Sequence, residues 1–362
     1  MNMPTNPAAL NAERTLIAAS QPQTIATRPA VTPLPAPAQL RHDFPASAGL
    51  QSRVAAHRDE VRRILSGEDS RLLIVVGPCS IHDDVAALEY GLKLSRLARE
   101  VSDRFLIVMR AYLEKPRTTV GWKGLLYDPD RTGQGDLNEG LIRSRRLLLN
   151  LAGMGLPLAT EALSPFAMDY LGDLVSWTAI GARTTESQVH REMVSGLPMP
   201  VGFKNGTDGS VGVAVNAMKS AAHAHQHFGI GDTGAPVMIN TPGNPDTHLV
   251  LRGGRGITNY DAASIREAMA ALNAGGVSRS VMVDCSHDNA CKQADRQLDI
   301  AREVLAQRRA VEYDGSRGII GLMLESFLEP GRQDDGDDLV FGCSITDPCL
   351  GWDQTAQLLR SL

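Results

Sequence analysis

The sequence predicts a (β/α)8 barrel of the TIM type, extended at its N-terminus and interrupted by a β-hairpin insertion. Three observations lead there. Eight short, β-rich apolar runs alternate with longer stretches of helical periodicity, which is the pattern of parallel strands joined by crossover helices. The runs are nearly continuous in apolar character, as strands covered on both faces must be. The unusual polar residues fall at, or just beyond, the C-terminal ends of those runs, the face on which such barrels carry their chemistry.

Residues 1 to about 48 are rich in Ala, Pro, Thr and Gln, with five prolines from Pro29 to Pro45. We therefore expect an arm over 1–48 without regular helix or strand, followed by a barrel domain over 49–362. Val54, Val61, Ile64 and Leu65 recur at roughly helical spacing and predict an amphipathic helix from Gln51 to Ser66. The eight strand candidates are Leu72 to Val76, Phe105 to Met109, Leu156 to Thr160, Thr178 to Ala182, Val201 to Phe203, Leu249 to Leu251, Ser280 to Asp284 and Ile319 to Leu324. Helical stretches between them include Val85 to Arg99, Leu141 to Leu151, Ser187 to Val194, Val211 to Ala224, Ala262 to Leu272 and Lys292 to Gln307. An extra strand candidate, Pro236 to Asn240, precedes the turn-rich Pro242-Gly243-Asn244-Pro245 and places a hairpin insertion around residues 234–250.

At 362 residues and 43% hydrophobic, the chain can bury a large core, and a barrel of ~250 residues tolerates long insertions. Lys plus Arg number 36 against 41 Asp plus Glu, a formal charge of −5. The molecule as a whole does not attract polyanions, which argues against nucleic-acid binding. No apolar run approaches the roughly 20 residues that span a bilayer, and the start lacks a basic region followed by a sustained apolar stretch. No membrane association and a cytoplasmic location are therefore expected. The five cysteines form no C-x-x-C pair, which fits a reducing compartment.

Two chemical sets separate among the strand-end residues. The first is six cations: Arg110, Lys115, Arg117, Arg183, Lys204 and Arg252. Guanidinium groups grip phosphate and carboxylate as bidentate forks, while lysine supplies a compact point charge, so the mixture suits small phosphorylated acids. A single Arg at a strand end is more often a surface ion pair, and convergence of all six rests on the fold. The second set is Cys79, His287, Glu325 and Asp347, one thiol, one imidazole and two carboxylates, a mixture that suits a divalent transition metal. The bland alternative is a buried Cys79, a hydrogen-bonded His287, and two carboxylates paired with neighbouring cations. Glu161 ends the third strand candidate.

Several long motifs, in order, carry a resemblance: GPCSIHD at 77–83, EKPRTTVGWKG at 114–124, GARTTESQ at 181–188, GFKNGTDG at 202–209, LRGG at 251–254, DCSH at 284–287 and SITDPCLGW at 344–352. From about Leu34 to its end the chain resembles the microbial, feedback-regulated class I 3-deoxy-D-arabino-heptulosonate-7-phosphate (DAHP) synthases. The resemblance implies condensation of phosphoenolpyruvate with erythrose 4-phosphate and water, the first step of the shikimate pathway. It also implies one divalent metal ion per subunit (manganese, iron, cobalt, zinc or copper) on Cys79, His287, Glu325 and Asp347. The phosphoenolpyruvate residues carry over onto Arg110, Lys115, Glu161, Arg183, Lys204 and Arg252, and the erythrose 4-phosphate residues onto Lys115-Pro116-Arg117-Thr118.

Within that reading Lys115 either moves a proton, with its pKa depressed by clustered cations, or simply binds phosphate; Glu161 either orients water or neutralises cations. The rivals are an arabinose 5-phosphate-using synthase, a Schiff-base aldolase on Lys115 or Lys204, and a non-catalytic metabolite sensor. A homodimer or homotetramer is expected, with an aromatic amino acid effector bound by the arm, the region around Pro198 and the hairpin. Pro198 stands where relatives often have a serine, which removes a hydroxyl and a backbone donor.

Overall fold

The structure is a computed structural model and describes residues 31–310 and 318–362; Pro35–Leu362 form one compact unit. The prolines near its start do not prevent a helix. Helix α1 spans Pro37–Asp43, and Pro37 sits in the first turn, where its missing N–H has no intrahelical partner to lose. Leu40 is buried, the Arg41 guanidinium donates to the Asp169 carbonyl, and the Tyr170 hydroxyl donates to the Pro35 carbonyl at 2.9 Å. This corrects the expectation of an arm without helix up to residue 48; its first thirty residues lie outside the described ones.

Helix α2, Ala48–Ser66, begins at Ser47, whose hydroxyl accepts from the Leu50 N–H, and ends at Gly67 in the left-handed region. Its Val61, Ile64 and Leu65 are packed with Leu73, Val75, Leu106 and Val108 in one buried cluster. The helix thus plugs the N-terminal end of the barrel. Ten strands follow among the described residues: β1 Leu72–Gly77, β2 Phe105–Arg110, β3 Leu158–Glu161, β4 Trp177–Ile180, β5 Val201–Lys204, β6 His225–Ile230, β7 Pro236–Thr241, β8 Thr247–Leu251, β9 Val281–Asp284 and β10 Ile319–Glu325. Eight close into a barrel in the order β1-β10-β9-β8-β5-β4-β3-β2, and neighbouring strands are parallel throughout.

Along β1 the period-two alternation sends Leu73 and Val75 inward and Leu72, Ile74 and Val76 outward, into a second cluster shared with the helices. Those helices are α3 Asp84–Glu100, α4 Leu137–Gly153, α5 Ala167–Leu171, α6 Gln188–Val194, α7 Gly212–Ala221, α8 Ala262–Gly275, α9 Arg296–Ala310 and α10 Trp352–Ser361. Asp83, Asp136 and Asp261 cap α3, α4 and α8 by accepting backbone N–H bonds. Because all eight barrel strands run the same way, their C-terminal residues meet at the mouth opposite α2.

The insertion differs from the sequence expectation. It is an antiparallel hairpin of β6 and β7, with His225 opposite Thr241 and Ile230 opposite Pro236, while Thr247–Leu251 belongs to the barrel. The first strand escapes a pattern reading because His225-Gln226-His227 offers no apolar alternation and directly follows a helix, so it reads as that helix's continuation.

One buried polar pair lies inside the barrel. The Trp177 indole N–H donates to His248 Nε2 at 2.9 Å, and both side chains are fully buried. Gly202 makes room for them, since a Cβ there would lie 2.5 Å from Cζ2 of Trp177. Burial pushes His248 down from 6.5 to about 4; protonating Nε2 would also take the acceptor from Trp177. The unfolded chain therefore takes up this proton first as pH falls, and stability should be lost between 6.5 and about 4. Linkage puts the loss at roughly 2 kcal/mol between about pH 7 and about pH 5. Denaturant midpoints should show it, and His248→Gln, which keeps an acceptor but cannot titrate, should lose most of the pH dependence. An undiminished dependence in that variant would place the acid sensitivity elsewhere.

Candidate active site

All twelve candidate residues from the sequence line one cavity of about 310 Å³ at the barrel mouth. They lie at two depths. Deep in the mouth, Arg110 is 2% exposed, and its guanidinium donates to Glu325 at 3.0 Å and to the carbonyls of Pro78 and Cys79 at 3.1 Å each. The Tyr112 ring lies 3.6 Å from the guanidinium carbon and fixes its plane. Lys204, at the end of β5, places Nζ 2.9 Å from Asp284 Oδ2, and Arg252, just past β8, places Nη1 2.7 Å from Asp288 Oδ2. On the rim, Arg117 and Arg183 are exposed. Arg117 Nε donates to the Trp122 carbonyl at 2.7 Å, and Arg183 Nη2 donates to the Thr118 hydroxyl at 3.1 Å.

The segment after β2 doubles back on itself. Lys115 N–H donates to the Lys123 carbonyl at 2.8 Å and Leu126 N–H to the Leu113 carbonyl at 3.0 Å, which leaves Arg117 and Thr118 near the tip. Glu114 anchors its base: both carboxylate oxygens accept the Ser164 N–H, at 3.1 and 3.2 Å. Burial, reinforced by the Glu161 charge, pushes Glu114 up to about 7 against the pull of that hydrogen bond.

The Cys79, Glu325 and Asp347 ligand atoms lie within 4.8 Å of one another. His287 is not part of that close group; its Nε2 stands 3.8 Å from Glu325 Oε1. Its backbone is left-handed, with φ 54°, an uncommon conformation for such a residue. Nδ1 lies 2.9 Å from Asp284 Oδ2 and 2.6 Å from the Ser286 hydroxyl. With Nδ1 donating to Asp284, the Nε2 lone pair is left toward Glu325, the arrangement found behind metal-binding histidines. The donor set of one thiol, one imidazole and two carboxylates fits a divalent ion. Burial, with Glu325 next in effect, raises the Cys79 thiol to about 11, so an incoming ion must displace its proton.

Lys115 departs from the expectation of a depressed pKa. Its Nζ is 3.0 Å from Cys79 Sγ and 2.6 Å from Asp347 Oδ2. Burial opposes its charge, but Cys79, Asp347 and Glu325 outweigh burial and raise its pKa. The lysine faces acids, not the other cations.

Asp284 was quoted only as part of a motif, yet it is the residue on which both sets converge. It is fully buried, and its burial is outweighed by His287 and Lys204, which hold it well below the usual carboxylate range. Glu114 likewise entered only within a motif, and Asp288 not at all. Nothing in single-sequence pattern marks them, because their roles come from neighbours on other strands.

Fold and mouth together define a parallel (β/α)8 barrel with a cationic mouth beside a mixed thiol, imidazole and carboxylate set. The chain belongs to the DAHP synthetase I family, whose model matches residues 45–360. It is 51% identical over 329 residues to the Tyr-sensitive phospho-2-dehydro-3-deoxyheptonate aldolase of Escherichia coli (strain K12), covering 90% of this chain and 91% of that protein. The Phe-sensitive phospho-2-dehydro-3-deoxyheptonate aldolase of the same strain is 48% identical over 328 residues, covering 90% and 92%, and the Trp-sensitive one of Enterobacter agglomerans is 48% identical over 328, covering 90% and 93%. A solved phospho-2-dehydro-3-deoxyheptonate aldolase from Francisella tularensis SCHU S4 superposes with a TM-score of 0.88 at 40% identity, covering 91% of this chain and 96% of that one.

Asp284→Asn should leave Lys204 with a neutral partner and His287 without its carboxylate. We expect metal affinity to fall about 10- to 100-fold, as for other groups that orient a ligand, when followed by metal titration of the purified protein. Wild-type affinity would mean that the Asp284 contact does not orient His287 for an ion.

Proposed function

We propose that this chain is a DAHP synthase that condenses phosphoenolpyruvate with erythrose 4-phosphate and water, giving 3-deoxy-D-arabino-heptulosonate 7-phosphate and inorganic phosphate. The carrying observation is the meeting of six cations with a thiol, an imidazole and two carboxylates in a single mouth, in a chain of this family. In the reaction C3 of the enol phosphate attacks the aldehyde carbon, the aldehyde oxygen gains a proton, water adds at C2, and phosphate leaves. Arg183, Lys204 and Arg252 hold the phosphate and carboxylate of phosphoenolpyruvate and so fix its reactive face. Arg117 and Thr118, near the tip of the doubled-back segment, take the second phosphate. Lys115, held by Asp347 and beside Cys79, offers its amine nitrogen to substrate anion.

Glu161 remains for the water. The mouth's ion pairs use Glu325, Asp347, Asp284 and Asp288, and among the described residues Glu161 has no cation partner, so it can orient the nucleophile. Cys79, His287, Glu325 and Asp347 would hold a divalent ion, which supplies Lewis-acid polarisation of the aldehyde oxygen when bound. Phosphate release should be assayed with phosphoenolpyruvate plus erythrose 4-phosphate or arabinose 5-phosphate, before and after chelation. We expect turnover only with erythrose 4-phosphate, loss on chelation and recovery on adding metal. Cys79→Ala should abolish the metal-dependent rate. Turnover that survives both chelator and Cys79→Ala would remove the metal from the mechanism.

Regulation by an aromatic amino acid is part of the same proposal. A second cavity of about 700 Å³ is lined by Met168, Met193, Pro198, Phe228 and Ile239, with Asp169 and Arg41 at its wall. Apolar surface beside opposite charges suits an amino acid with a large side chain, and burial pushes Asp169 up to about 6. Phe228 and Met238 of the hairpin are exposed, which supports a contact with a second copy of the chain in a homodimer or homotetramer. Relatives named for tyrosine, tryptophan and phenylalanine match almost equally well, so overall likeness does not choose the effector. One of the three should inhibit the full-length enzyme, and Pro198→Ser should shift the half-inhibiting concentration several-fold with uninhibited turnover intact. No response to any of the three would sink the regulatory part while leaving the reaction standing.

A further inference from the structure

Of the four acids that pair with cations in the mouth, three have a part in the account above. Glu325 and Asp347 belong to the ligand set, and Asp284 supports Lys204 and His287. Asp288 has none. It lines the same cavity, and its Oδ2 lies 2.7 Å from Arg252 Nη1. The contact is single, not a bidentate fork: the other guanidinium hydrogen bond among the described residues is a long 3.5 Å one from Nη1 to the Gly253 carbonyl.

The two partners are held differently. The Arg252 N–H donates to Asn205 Oδ1 at 2.8 Å, which fixes the arginine's backbone at the barrel rim. Behind Asp288, the Asn289 amide donates to the Leu251 and Asp284 carbonyls at 3.2 and 2.9 Å, so the backbone of that loop is pinned too. The Asp288 carboxylate itself accepts only from Arg252 among the described residues, and its side chain is 23% exposed. A partly exposed carboxylate with one partner can rotate toward water at smaller cost than a fully enclosed one such as Asp284.

We propose that Asp288 sets the affinity of the anion site: its carboxylate occupies Arg252 until a phosphate or carboxylate oxygen of the substrate takes its place, and recaptures the guanidinium when inorganic phosphate leaves. The inference rests on the proposed reaction for the identity of the anion. Its physical content is that a mouth holding this many cations would bind a small phosphate dianion too well to release it, and a mobile like charge limits that. Binding energy given equally to substrate and product would not speed the chemical step.

The probe is inorganic phosphate, titrated calorimetrically into the full-length wild type, Asp288→Asn and Asp288→Ala. Removing the competing charge should lower the phosphate dissociation constant about three- to tenfold in both variants, a range suited to a partly solvent-screened contact. The Michaelis constant for phosphoenolpyruvate should fall with it, while that for erythrose 4-phosphate stays near the wild-type value. If Asp288 merely orients Arg252, the isosteric Asp288→Asn will bind phosphate like the wild type and Asp288→Ala will bind it more weakly. That pattern, or unchanged affinity in both, overturns the proposal. Wild-type turnover tests the reaction separately. Tighter phosphate binding in the variants without any wild-type turnover would keep the role of Asp288 and discard the reaction; turnover with unmoved phosphate affinity would do the reverse.

Discussion

A carboxylate with no exposed surface, Asp284, receives the Lys204 ammonium and the His287 ring at 2.9 Å each, and through it the cationic part of the mouth is tied to the thiol, imidazole and carboxylate set. Burying the Lys204 ammonium without an acid would cost several kcal/mol. The pairing makes a lysine tolerable at the end of β5 and leaves one histidine nitrogen turned toward Glu325. Asp284 can stand there because β9 ends at that residue, and the barrel's uniform strand direction brings the ends of β5 and β10 to the same rim.

The same logic runs around the mouth at decreasing depth. Arg110 and Glu325 are both nearly fully enclosed and hold each other across the end of β10. Arg252 with Asp288 is intermediate, and Lys115 with Asp347 is somewhat more open on its acid side. Arg117 and Arg183, on the rim, contact a carbonyl and a hydroxyl instead of acids. Charges are therefore fixed by pairing where water is excluded and lack an acidic partner at the exposed rim. At the other end, α2 closes the barrel with Val61, Ile64 and Leu65, so the mouth is the end that remains accessible.

Much of this was legible in the sequence because a buried parallel barrel writes a simple pattern: apolar run, polar strand end, helix. All eight barrel strands were found, with ends displaced by up to a few residues, as at β3, where Pro157 precedes the first strand residue, Leu158. What escaped depends on neighbours distant in the chain. Strand β6 has no apolar alternation of its own and exists by pairing with β7. Helix α1 survives three nearby prolines because Pro37 occupies its first turn and Leu40 finds a buried place. Two roles stayed open for Lys115 because sequence showed only the cations clustered by strand, whereas the fold sets Lys115 against Cys79 and Asp347. Asp288 looks like an ordinary loop acid, and Asp284 like an ordinary strand end, until β8 and β5 are placed beside them.

The central claim is that one mouth holds both a divalent ion and a small phosphorylated acid, joined through Asp284. A crystal structure of the protein grown with manganese and phosphoenolpyruvate, with the ion located by its anomalous scattering, tests it most directly. The account predicts one ion coordinated by Cys79, His287, Glu325 and Asp347, with the phosphate and carboxylate on Arg183, Lys204 and Arg252 and Lys204 still paired with Asp284. An ion bound away from Cys79 and His287, or phosphoenolpyruvate bound outside this mouth, would contradict it.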